Sequence, residues 1–473
     1  MSALTLTLQW IAEATAGRLV IGDPGSIAGE VVTDTRTIGT GDFFVALRGP
    51  RHDGHDHVAA AIRAGASGAV VEREWFDRQN SLGVATEAGG FGVVVVGDTV
   101  VALQDMARAV RRAVDTRVVA ITGSAGKTTT KETVAGMLAT RLTVVKNRGN
   151  FNNHIGLPFS LMELRRRPDV AVMELGMNHS GEISTLVGIA DPDVRVWTNV
   201  GDAHLGFFAS PDAIADAKAE ILEGADAADL LVCNADDPRV MARVCGFPGR
   251  TVTFGYSPGA QVRAVDVEDR GVSGMRARLV TPVGERPLEI GLLGRGNLAN
   301  VLAAAAVAIH FDIPLDVIVG HASLAKPAER RGAVLRAHGL TVIDDSYNSS
   351  PTALLRALEV MRNERGTGRK GAVLGEMLEL GDHADRLHRE CGEAAATAGL
   401  AWLVTVGGAA AKALADSALN AGMAPDAVTW CERSAAAADY VAGLVRPGDL
   451  VLVKGSRGIR TDVVVDRLTA GGA

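Results

Sequence analysis

Residues 118 to 132 read Val-Val-Ala-Ile-Thr-Gly-Ser-Ala-Gly-Lys-Thr-Thr-Thr-Lys-Glu. A β-branched apolar run stops at Gly123, and after a second glycine Lys127 and Thr128 open a helix-forming segment. This order predicts a phosphate-binding loop, because the N–H groups of a glycine turn and the positive end of a helix then face the same anion. We expect Lys127 to reach the outer phosphates of a nucleotide and the Thr128 hydroxyl to hold Mg²⁺.

The loop is a shortened form of the usual phosphate-loop motif. It reads G-x-x-G-K-T where the full motif reads G-x-x-x-x-G-K-[ST], because position 121 is Ile121. The alternative is an ordinary strand-turn-helix corner that carries Gly-Lys-Thr by chance. Strand, glycines, lysine and hydroxyl agree in register, and this agreement favours the phosphate loop.

The composition is that of a soluble, multidomain globular protein. The chain has 473 residues, 47% of them apolar and 22% charged, and this length predicts about three domains. A net charge of −7 argues against a nucleic-acid-binding surface, which needs a clustered basic face. The four cysteines are far apart and form no C-x-x-C pair, which suggests neither zinc nor a disulfide framework and fits a reducing cytosol.

The chain shows no targeting or membrane-spanning pattern. Residues Met1 to Trp10 lack the basic start and the cleavage site of a signal peptide. The longest apolar stretch, from Leu298 to Ile309, is too short to span a bilayer. We therefore expect a soluble intracellular protein.

Strand and helix patterns divide the chain into three α/β segments. Residues 1–98 mix short strands, turns and a helix, and read as a small α/β domain. Residues 99–322 alternate strands with longer helices, as βαβ units around a parallel sheet do. Residues 323–473 include a linker at 326–332 near their start and read as a doubly wound domain.

Polar residues end three apolar runs of the middle segment. Glu174 closes one run, Asp202 and His204 follow the next, and Asp236 follows the third. The carboxyl ends of parallel strands lie along one edge, where ligands bind, so we expect these groups beside Lys127. The alternatives are that Glu174 caps a following helix and that His204 is a hydrogen-bonding bystander.

Other polar stretches suggest ligand contacts. Residues 147–153 hold four asparagines, which suits sugar and amide groups better than catalysis, although a turn-rich loop is the alternative. The loop around Asp53 and His55 could hold a metal, but it also suits a turn, and a polar ligand contact is favoured. In residues 344–351 the start of a helix explains Ser350 and Pro351, but it does not explain Asp345, Tyr347 and Asn348.

Together these strings resemble the Mur ligases, ATP-dependent amide-forming enzymes of peptidoglycan synthesis. The resemblance runs nearly end to end. It is carried by the phosphate loop and by four further strings, Asn150-Phe151-Asn152-Asn153-His154-Ile155-Gly156, Glu174-Leu175-Gly176-Met177-Asn178-His179, Asp344-Asp345-Ser346-Tyr347-Asn348 and Glu376-Met377-Leu378-Glu379-Leu380-Gly381. Ser124-Ala125 departs from the family's usual Thr-Asn, and we expect little consequence because the backbone binds the phosphate.

The resemblance implies a three-domain α/β enzyme. It has a small N-terminal uridine-nucleotide domain, a central parallel-sheet ATPase domain, and a C-terminal doubly wound, Rossmann-like domain. The strings are similar to those of family members that join D-alanyl-D-alanine to UDP-N-acetylmuramoyl-tripeptide through an acyl phosphate, with ATP and Mg²⁺. These substrates are the implied partners. We expect a cytoplasmic monomer without nucleic-acid binding or membrane insertion.

The resemblance also implies roles for residues of this chain. The catalytic group is Lys127, Glu174, His204 and Lys218, and Lys218 matches a lysine that several family members carbamylate. The metal ligands are Thr128, Glu174, His204 and Lys218. The nucleotide contacts are Gly123, Ser124, Ala125, Gly126, Lys127, Thr128, Thr129, Asn297, Asn300, Arg331, Asp345 and Tyr347. The substrate contacts are Asp34, Thr35, Arg36, Asn152, Asn153, His154, Asn348, Lys454 and Arg457.

Three alternatives remain at this stage. The ligase that adds the third residue of the same peptide typically shows Asp-Asn-Pro-Arg in its last domain, and no such string follows Asp345. Folylpolyglutamate synthase shares the ATPase core but lacks the small N-terminal domain. A P-loop regulatory ATPase or binding module would turn over ATP without an amine acceptor.

Overall fold

The computed structural model describes residues 3–49, 52–81, 90–202, 205–366 and 368–470. The fold is mixed α/β with several sheets, as the sequence predicts. The chain divides into two compact units. The first is Met1–Ala120, Leu142–Met177 and Glu182–Asp193, and the second is Ile121–Arg141, Asn178–Gly181 and Val194–Ala473. The domain boundaries near residues 98 and 322 stay predictions.

The first hundred residues form a small α/β layer. Its elements are β1 (Leu6–Thr7), α1 (Leu8–Ala14), β2 (Arg18–Ile21), β3 (Ile27–Ala28), β4 (Val31–Val32), β5 (Phe43–Val45), α2 (Val58–Arg63), β6 (Gly68–Glu72), α3 (Arg73–Ser81) and β7 (Gly92–Val96). Five strands form a sheet in the order β2-β7-β6-β5-β4, parallel except for β2, while β1 and β3 pair separately. Phe44, Val71 and Val95 are buried in its core.

Residues 99–324 carry a nine-stranded sheet. Their elements are α4 (Thr99–Arg112), β8 (Arg117–Thr122), α5 (Lys127–Leu138), β9 (Val144–Lys146), α6 (Gly156–Met162), β10 (Val170–Glu174), α7 (Glu182–Ala190), β11 (Val194–Trp197), α8 (Pro211–Ala219), β12 (Leu230–Asn234), α9 (Pro238–Met241), β13 (Arg250–Gly255), β14 (Val262–Asp269), β15 (Met275–Thr281), β16 (Gly284–Ile290), α10 (Gly294–His310) and α11 (Leu315–Leu324). The strand order is β16-β15-β14-β13-β12-β11-β8-β10-β9.

The expectation of a parallel sheet throughout this region is wrong for its last strands. The pairs from β11 to β14 and the pair β9–β10 are parallel, but β14, β15 and β16 pair antiparallel. The connections at 270–274 and 282–283 are too short for the crossover that parallel strands need. Along β15, buried residues alternate with more exposed ones, as in an antiparallel sheet with one face toward solvent.

The last part of the chain forms a second layered α/β structure. Its elements are β17 (Ala333–Ala337), β18 (Leu340–Asp345), α12 (Pro351–Asn363), β19 (Lys370–Gly375), α13 (Ala384–Ala396), β20 (Trp402–Val406), α14 (Ala409–Asn420), β21 (Val428–Cys431), α15 (Ser434–Leu444), β22 (Leu450–Lys454) and α16 (Asp462–Thr469). The order is β17-β18-β22-β19-β20-β21, parallel except for β17. Every residue of β20 and β22 is buried, because helices cover both faces.

The cysteine thiols and the apolar character of the helices can be described directly. All four cysteines are free, and burial raises the pKa of the Cys233 and Cys391 thiols to about 12. Among the described residues, no helix combines the length and the apolar character that crossing a bilayer requires.

Candidate active site

The phosphate loop lies between β8 and α5 and needs both of its glycines. Gly126 has φ +84° and Gly123 has φ +150°, conformations that side chains rarely adopt. A Cβ at Gly126 would lie 2.3 Å from Asn300 Oδ1, and one at Gly123 would lie 1.9 Å from Thr198 Oγ1. The glycines therefore let two neighbouring segments approach the loop.

The helix that follows the loop starts at Lys127, as the sequence predicts. The Lys127 ammonium donates a hydrogen bond to the Gly123 carbonyl at 2.7 Å, which holds the side chain over the loop. The positive end of the α5 dipole lies at the same turn. The lysine ammonium and the helix end therefore place positive charge at the same turn of the chain.

Residues after β11 hold the loop, and they are not among the residues predicted from the sequence. The side-chain amide of Asn199 accepts a hydrogen bond from the Ala125 N–H and donates one to the Ala125 carbonyl, each at 2.9 Å. Gly201 N–H donates to Ser124 Oγ at 2.8 Å. The available signal was the position of Asn199 in the same strand-end string as Asp202.

Lys218 is a buried lysine whose charge is affected by the Lys127 ammonium of the loop. It lies on α8 and is only 2% exposed. Burial and the nearby positive charge of Lys127 lower the pKa of its ammonium well below the usual value, against the opposing effect of Glu220. No hydrogen bond or ion pair to its ammonium occurs among the described residues. The prediction for His204 lies outside the described residues.

In the first unit, Glu174 ends β10 and is held by two asparagines. The Asn152 amide donates to Glu174 Oε1 at 2.9 Å. The Asn147 side chain accepts from the Glu174 N–H and donates to its carbonyl, each at 3.0 Å. The next helix begins only at Glu182, so Glu174 does not cap it. The carboxylate is buried and oriented.

The neighbouring residues of the asparagine-rich string make local contacts. The Asn153 side chain accepts from the N–H groups of Ile155 and Gly156 at 3.2 and 2.8 Å, at the start of α6. His154 is exposed, and its carbonyl accepts from Gln104. Their predicted substrate contacts stay predictions.

The residues predicted to meet the uridine nucleotide lie on short turns of the first unit. Arg36 binds Asp34 through its Nε and Nη2 atoms, at 2.9 and 2.6 Å, and these hydrogen bonds lower the pKa of the Asp34 carboxyl to about 2. Thr35 begins the turn between them. The Arg36 side chain is 86% exposed and available to a ligand.

The loop at 53–55 is built as a turn. His55 Nδ1 contacts Asp53 Oδ1 at 2.5 Å, and His55 Nε2 accepts the Glu72 N–H at 2.9 Å. Both ring nitrogens are therefore used by the fold. In the described part of the chain, no group of three or more His, Cys, Asp or Glu side chains could hold a metal ion.

The first two turns of α10 carry two predicted nucleotide contacts, Asn297 and Asn300. Asn300 is 6% exposed, and its amide lies against Gly126. Asn300 Nδ2 donates to Asn297 Oδ1 at 3.3 Å, and Asn297 Nδ2 donates to the Leu293 carbonyl at 2.9 Å. The pair is thus fixed beside the phosphate-loop backbone.

Three predicted residues meet at the edge of the C-terminal sheet. The buried Lys454 ammonium forms an ion pair with Asp345 at 2.7 Å and donates to the Asn348 carbonyl at 2.9 Å. Asp345 and Lys454 are paired in register on adjacent strands β18 and β22. The strand ends therefore assemble this cluster.

Two guanidinium groups contact the ring of Tyr347. Arg331 lies 4.1 Å and Arg457 5.7 Å from the ring centroid. Cationic groups on an aromatic ring make a flat, positively charged surface, which suits a nucleotide. All three residues were predicted as site residues, and the structure brings them together.

The string at 376–381 is fixed by contacts that the sequence did not reveal. Glu376 Oε2 accepts the Gly408 N–H at 2.5 Å, at the start of α14. The buried His388 accepts the Met377 N–H on Nε2 at 2.9 Å. Ser456 Oγ accepts the Leu378 N–H at 2.9 Å. Hydrogen bonds to three other parts of the C-terminal layer therefore hold this string.

Within the second unit, this edge contacts the segment after β11. Gly206 N–H donates to the Glu379 carbonyl at 2.8 Å, and Thr352 Oγ1 donates to Asp202 Oδ2 at 3.0 Å. The strand-end segment that follows β11 thus contacts both the phosphate loop and the C-terminal layer.

Family models match two regions of the chain. The Mur ligase middle domain matches residues 121–308, and the Mur ligase glutamate ligase domain matches residues 330–457. Together these matches cover more than half of the sequence. They include the phosphate loop and the cluster around Tyr347.

Relatives and solved structures match almost end to end. The UDP-N-acetylmuramoyl-tripeptide–D-alanyl-D-alanine ligase of Bacillus subtilis (strain 168) is 33% identical over 464 residues, 98% of each protein. A crystal structure of MurF from Acinetobacter baumannii is 30% identical, with a TM-score of 0.87 over 99% of each chain. A MurF ligase from Thermotoga maritima in complex with ADP is 28% identical, with a TM-score of 0.81 over 93% of this chain and 96% of that one.

Proposed function

Since this chain belongs to the Mur ligase family, we propose that it joins D-alanyl-D-alanine to UDP-N-acetylmuramoyl-tripeptide in the cytoplasm, at the expense of ATP. The observation that carries the proposal is the 33% identity, over 98% of each protein, to a ligase with that name. The phosphate loop between β8 and α5 supplies the matching chemistry. We expect the enzyme to act as a monomer.

The reaction needs an activated carboxylate. The terminal carboxylate of the tripeptide attacks the γ-phosphorus of ATP, which releases ADP and leaves an acyl phosphate. The amine of D-alanyl-D-alanine then attacks the acyl carbon, the C–O bond to phosphate breaks, and the amine loses a proton. Lys127 and the N-terminus of α5 are placed to offset the negative charge of the transferred phosphoryl group.

We assign Mg²⁺ to Thr128, Glu174, His204 and Lys218 by family position. The donor chemistry fits, since a hydroxyl and a buried, oriented carboxylate are oxygen ligands of the kind Mg²⁺ takes. Lys218 fits only as its carbamate, which turns the amine into an anion. When bound, the ion would neutralise charge on the phosphates of ATP.

The remaining predicted residues divide between nucleotide and substrates. We assign the adenine and ribose of ATP to Asn297, Asn300, Arg331, Asp345 and Tyr347. We assign the uridine nucleotide to the turn at 34–36, and the peptide substrates to the asparagine-rich string and to the cluster of Asn348, Lys454 and Arg457. The support is the clustering of these C-terminal residues at one sheet edge.

The proposed function can be tested by measuring ADP release with different combinations of substrates. We expect ADP only when UDP-N-acetylmuramoyl-tripeptide and D-alanyl-D-alanine are both present. Steady ADP formation with a single amino acid and the shorter UDP-linked dipeptide would instead identify the ligase that adds the third residue. ADP formation without any amine acceptor would identify a regulatory ATPase and overturn the proposal.

A further inference from the structure

The loop that we assign to ATP is hydrogen-bonded to a neighbouring segment of the chain. Its neighbour is the segment Thr198–Gly201, which directly follows β11. The Thr198 N–H donates to the Thr122 carbonyl at 3.0 Å, and the Ser124 N–H donates to the Asn199 carbonyl at 3.0 Å. The hydrogen bonding of a β-ladder therefore continues past the strand ends and into the loop.

Asn199 is the residue of this segment that specifies the loop conformation. Its side-chain oxygen takes the Ala125 N–H, and its side-chain nitrogen donates to the Ala125 carbonyl, so that one amide satisfies both backbone groups of one loop residue. The Thr198 hydroxyl donates to the same carbonyl at 2.9 Å. A neutral amide is suited to this role, because it is donor and acceptor at once.

The segment is itself held in place. Asn234 at the end of β12 donates to the Thr198 carbonyl at 2.9 Å, and Asp237 accepts the Val200 N–H at 2.7 Å. Asn199 is 7% exposed. A buried side chain with fixed neighbours can act as a template, because its own position costs no further ordering when a ligand binds.

These hydrogen bonds reduce the number of loop N–H groups that are left for an anion. The N–H groups of Ser124 and Ala125 donate to the Asn199 backbone carbonyl and side-chain oxygen. The nucleotide contacts of Ser124 and Ala125 stay predictions, and we infer that atoms other than these two N–H groups would make them. The anion-binding part starts at Gly126, where the chain turns into α5. Ser124 and Ala125 connect the loop to Asn199.

We propose that Asn199 is a positioning residue for the nucleotide: its side-chain amide sets the loop backbone so that Gly126 and Lys127 face the phosphates. The proposal rests on the proposed ATP-dependent function. It explains why the departure from the family's usual loop pair at Ser124-Ala125 is tolerated, since the Ala125 backbone, not its side chain, is what Asn199 recognises.

The test compares Asn199→Ala and Asn199→Asp with wild type. The alanine variant loses both bonds to Ala125. The aspartate variant keeps the shape and the acceptor but turns a donor into a carboxylate oxygen that faces the Ala125 carbonyl. ADP with Mg²⁺ is titrated by calorimetry, and the KM values for ATP and for UDP-N-acetylmuramoyl-tripeptide are measured.

We expect ADP to bind about tenfold more weakly to Asn199→Ala, as the loss of two hydrogen bonds implies, and more weakly still to Asn199→Asp. The KM for ATP should rise while the KM for the UDP-linked substrate stays within about twofold, a split that a general loss of stability would not give. Asn363→Ala is the matched control, because it removes an asparagine bond to Asp269 away from the loop.

The outcomes separate this proposal from the function it rests on. ADP affinity within about twofold of wild type in a folded Asn199→Asp protein would overturn the role of Asn199. If Asn199→Ala does not fold, the aspartate variant decides, since it has the same size. Lys127→Ala serves as the reference for a loop that has lost its phosphate contact. Wild-type protein that fails to bind ADP would overturn the proposed function itself.

Discussion

Gly206 and Glu379 are joined backbone to backbone, with the Gly206 N–H donating to the Glu379 carbonyl at 2.8 Å. No side chain fits at this contact, because a Cβ on Gly206 would lie 2.6 Å from the Gly381 nitrogen. Glu379 has φ +64° and Gly381 has φ +53°, so the C-terminal segment is bent to meet Gly206.

We therefore predict that Gly206→Ala lowers turnover about tenfold, because the two segments must separate to admit the methyl group. ADP affinity should stay near wild type, since the phosphate loop is untouched. Steady-state kinetics with D-alanyl-D-alanine and calorimetry with ADP check this. Gly443→Ala on α15 is the control, because its Cβ meets nothing within 4 Å. Unchanged turnover in a folded Gly206→Ala protein would contradict the prediction.

Lys218 is predicted to carry a carbamate. Burial lowers the pKa of its ammonium, which raises the share of neutral amine that can attack CO₂ and then lose a proton. We expect a carbamate signal in ¹³C NMR after growth or incubation with labelled bicarbonate, and its absence in Lys218→Ala. Turnover of that variant should fall about a hundredfold. Lys412→Ala, at an exposed lysine, should keep both the signal and the activity. Full activity of Lys218→Ala would refute this role.

His388 is predicted to make stability depend on pH. Burial lowers the pKa of its imidazole below 6.5, although the Ala384 carbonyl, Glu376 and Asp385 oppose this, and its Nε2 must stay unprotonated to accept from Met377. Protonation therefore favours the unfolded chain. The contribution is complete above about pH 6.5 and is lost as pH falls through the lower, folded pKa.

The measurement is the free energy of unfolding in urea between about pH 5 and 8, where one such proton changes it by up to about 1.4 kcal/mol per pH unit. His388→Gln should flatten this dependence. His338→Asn, at an exposed histidine in a left-handed turn that asparagine tolerates, should leave it unchanged. Equal pH dependence in wild type and His388→Gln would rule the histidine out as its source.

The ring of Tyr347, rather than its hydroxyl, is predicted to matter for the nucleotide. Arg331 and Arg457 both contact the ring face, so Tyr347→Ala removes the surface that orders two cations. We expect about a tenfold rise in the KM for ATP. Tyr347→Phe is the matched control and should stay within about twofold. A phenylalanine variant as weak as the alanine variant would show that the hydroxyl carries the contact instead.

The features that could be predicted from the sequence are formed by residues that follow one another directly in the chain. The phosphate loop and the ends of β10, β18 and β22 could be recognised because apolar runs, glycines and a polar residue follow one another directly. The burial of Lys218 could not be read this way, since a lysine in an alanine-rich helix looks like a surface residue until its neighbours are known.

What the sequence missed depends on pairing between distant segments. Asn199 serves the loop only because β11 lies beside β8, and the role of His388 depends on α13 packing under the string at 376–381. The prediction applies one alternation of strands and helices to all of residues 99–322, so it does not include the antiparallel pairing of β14, β15 and β16. Contacts of this kind have no signature in a short window of sequence.

The carboxylate of Glu376 lies against Gly407 and Gly408, the two glycines that precede α14. Gly407, at φ +136°, and Gly408 precede α14, and the Glu376 carboxylate accepts the Gly408 N–H there. A phosphate-mimicking inhibitor that approaches α14 therefore meets a like charge, while at α5 it meets a lysine. Selective compounds can exploit this difference in charge between two helix N-termini that both follow glycines.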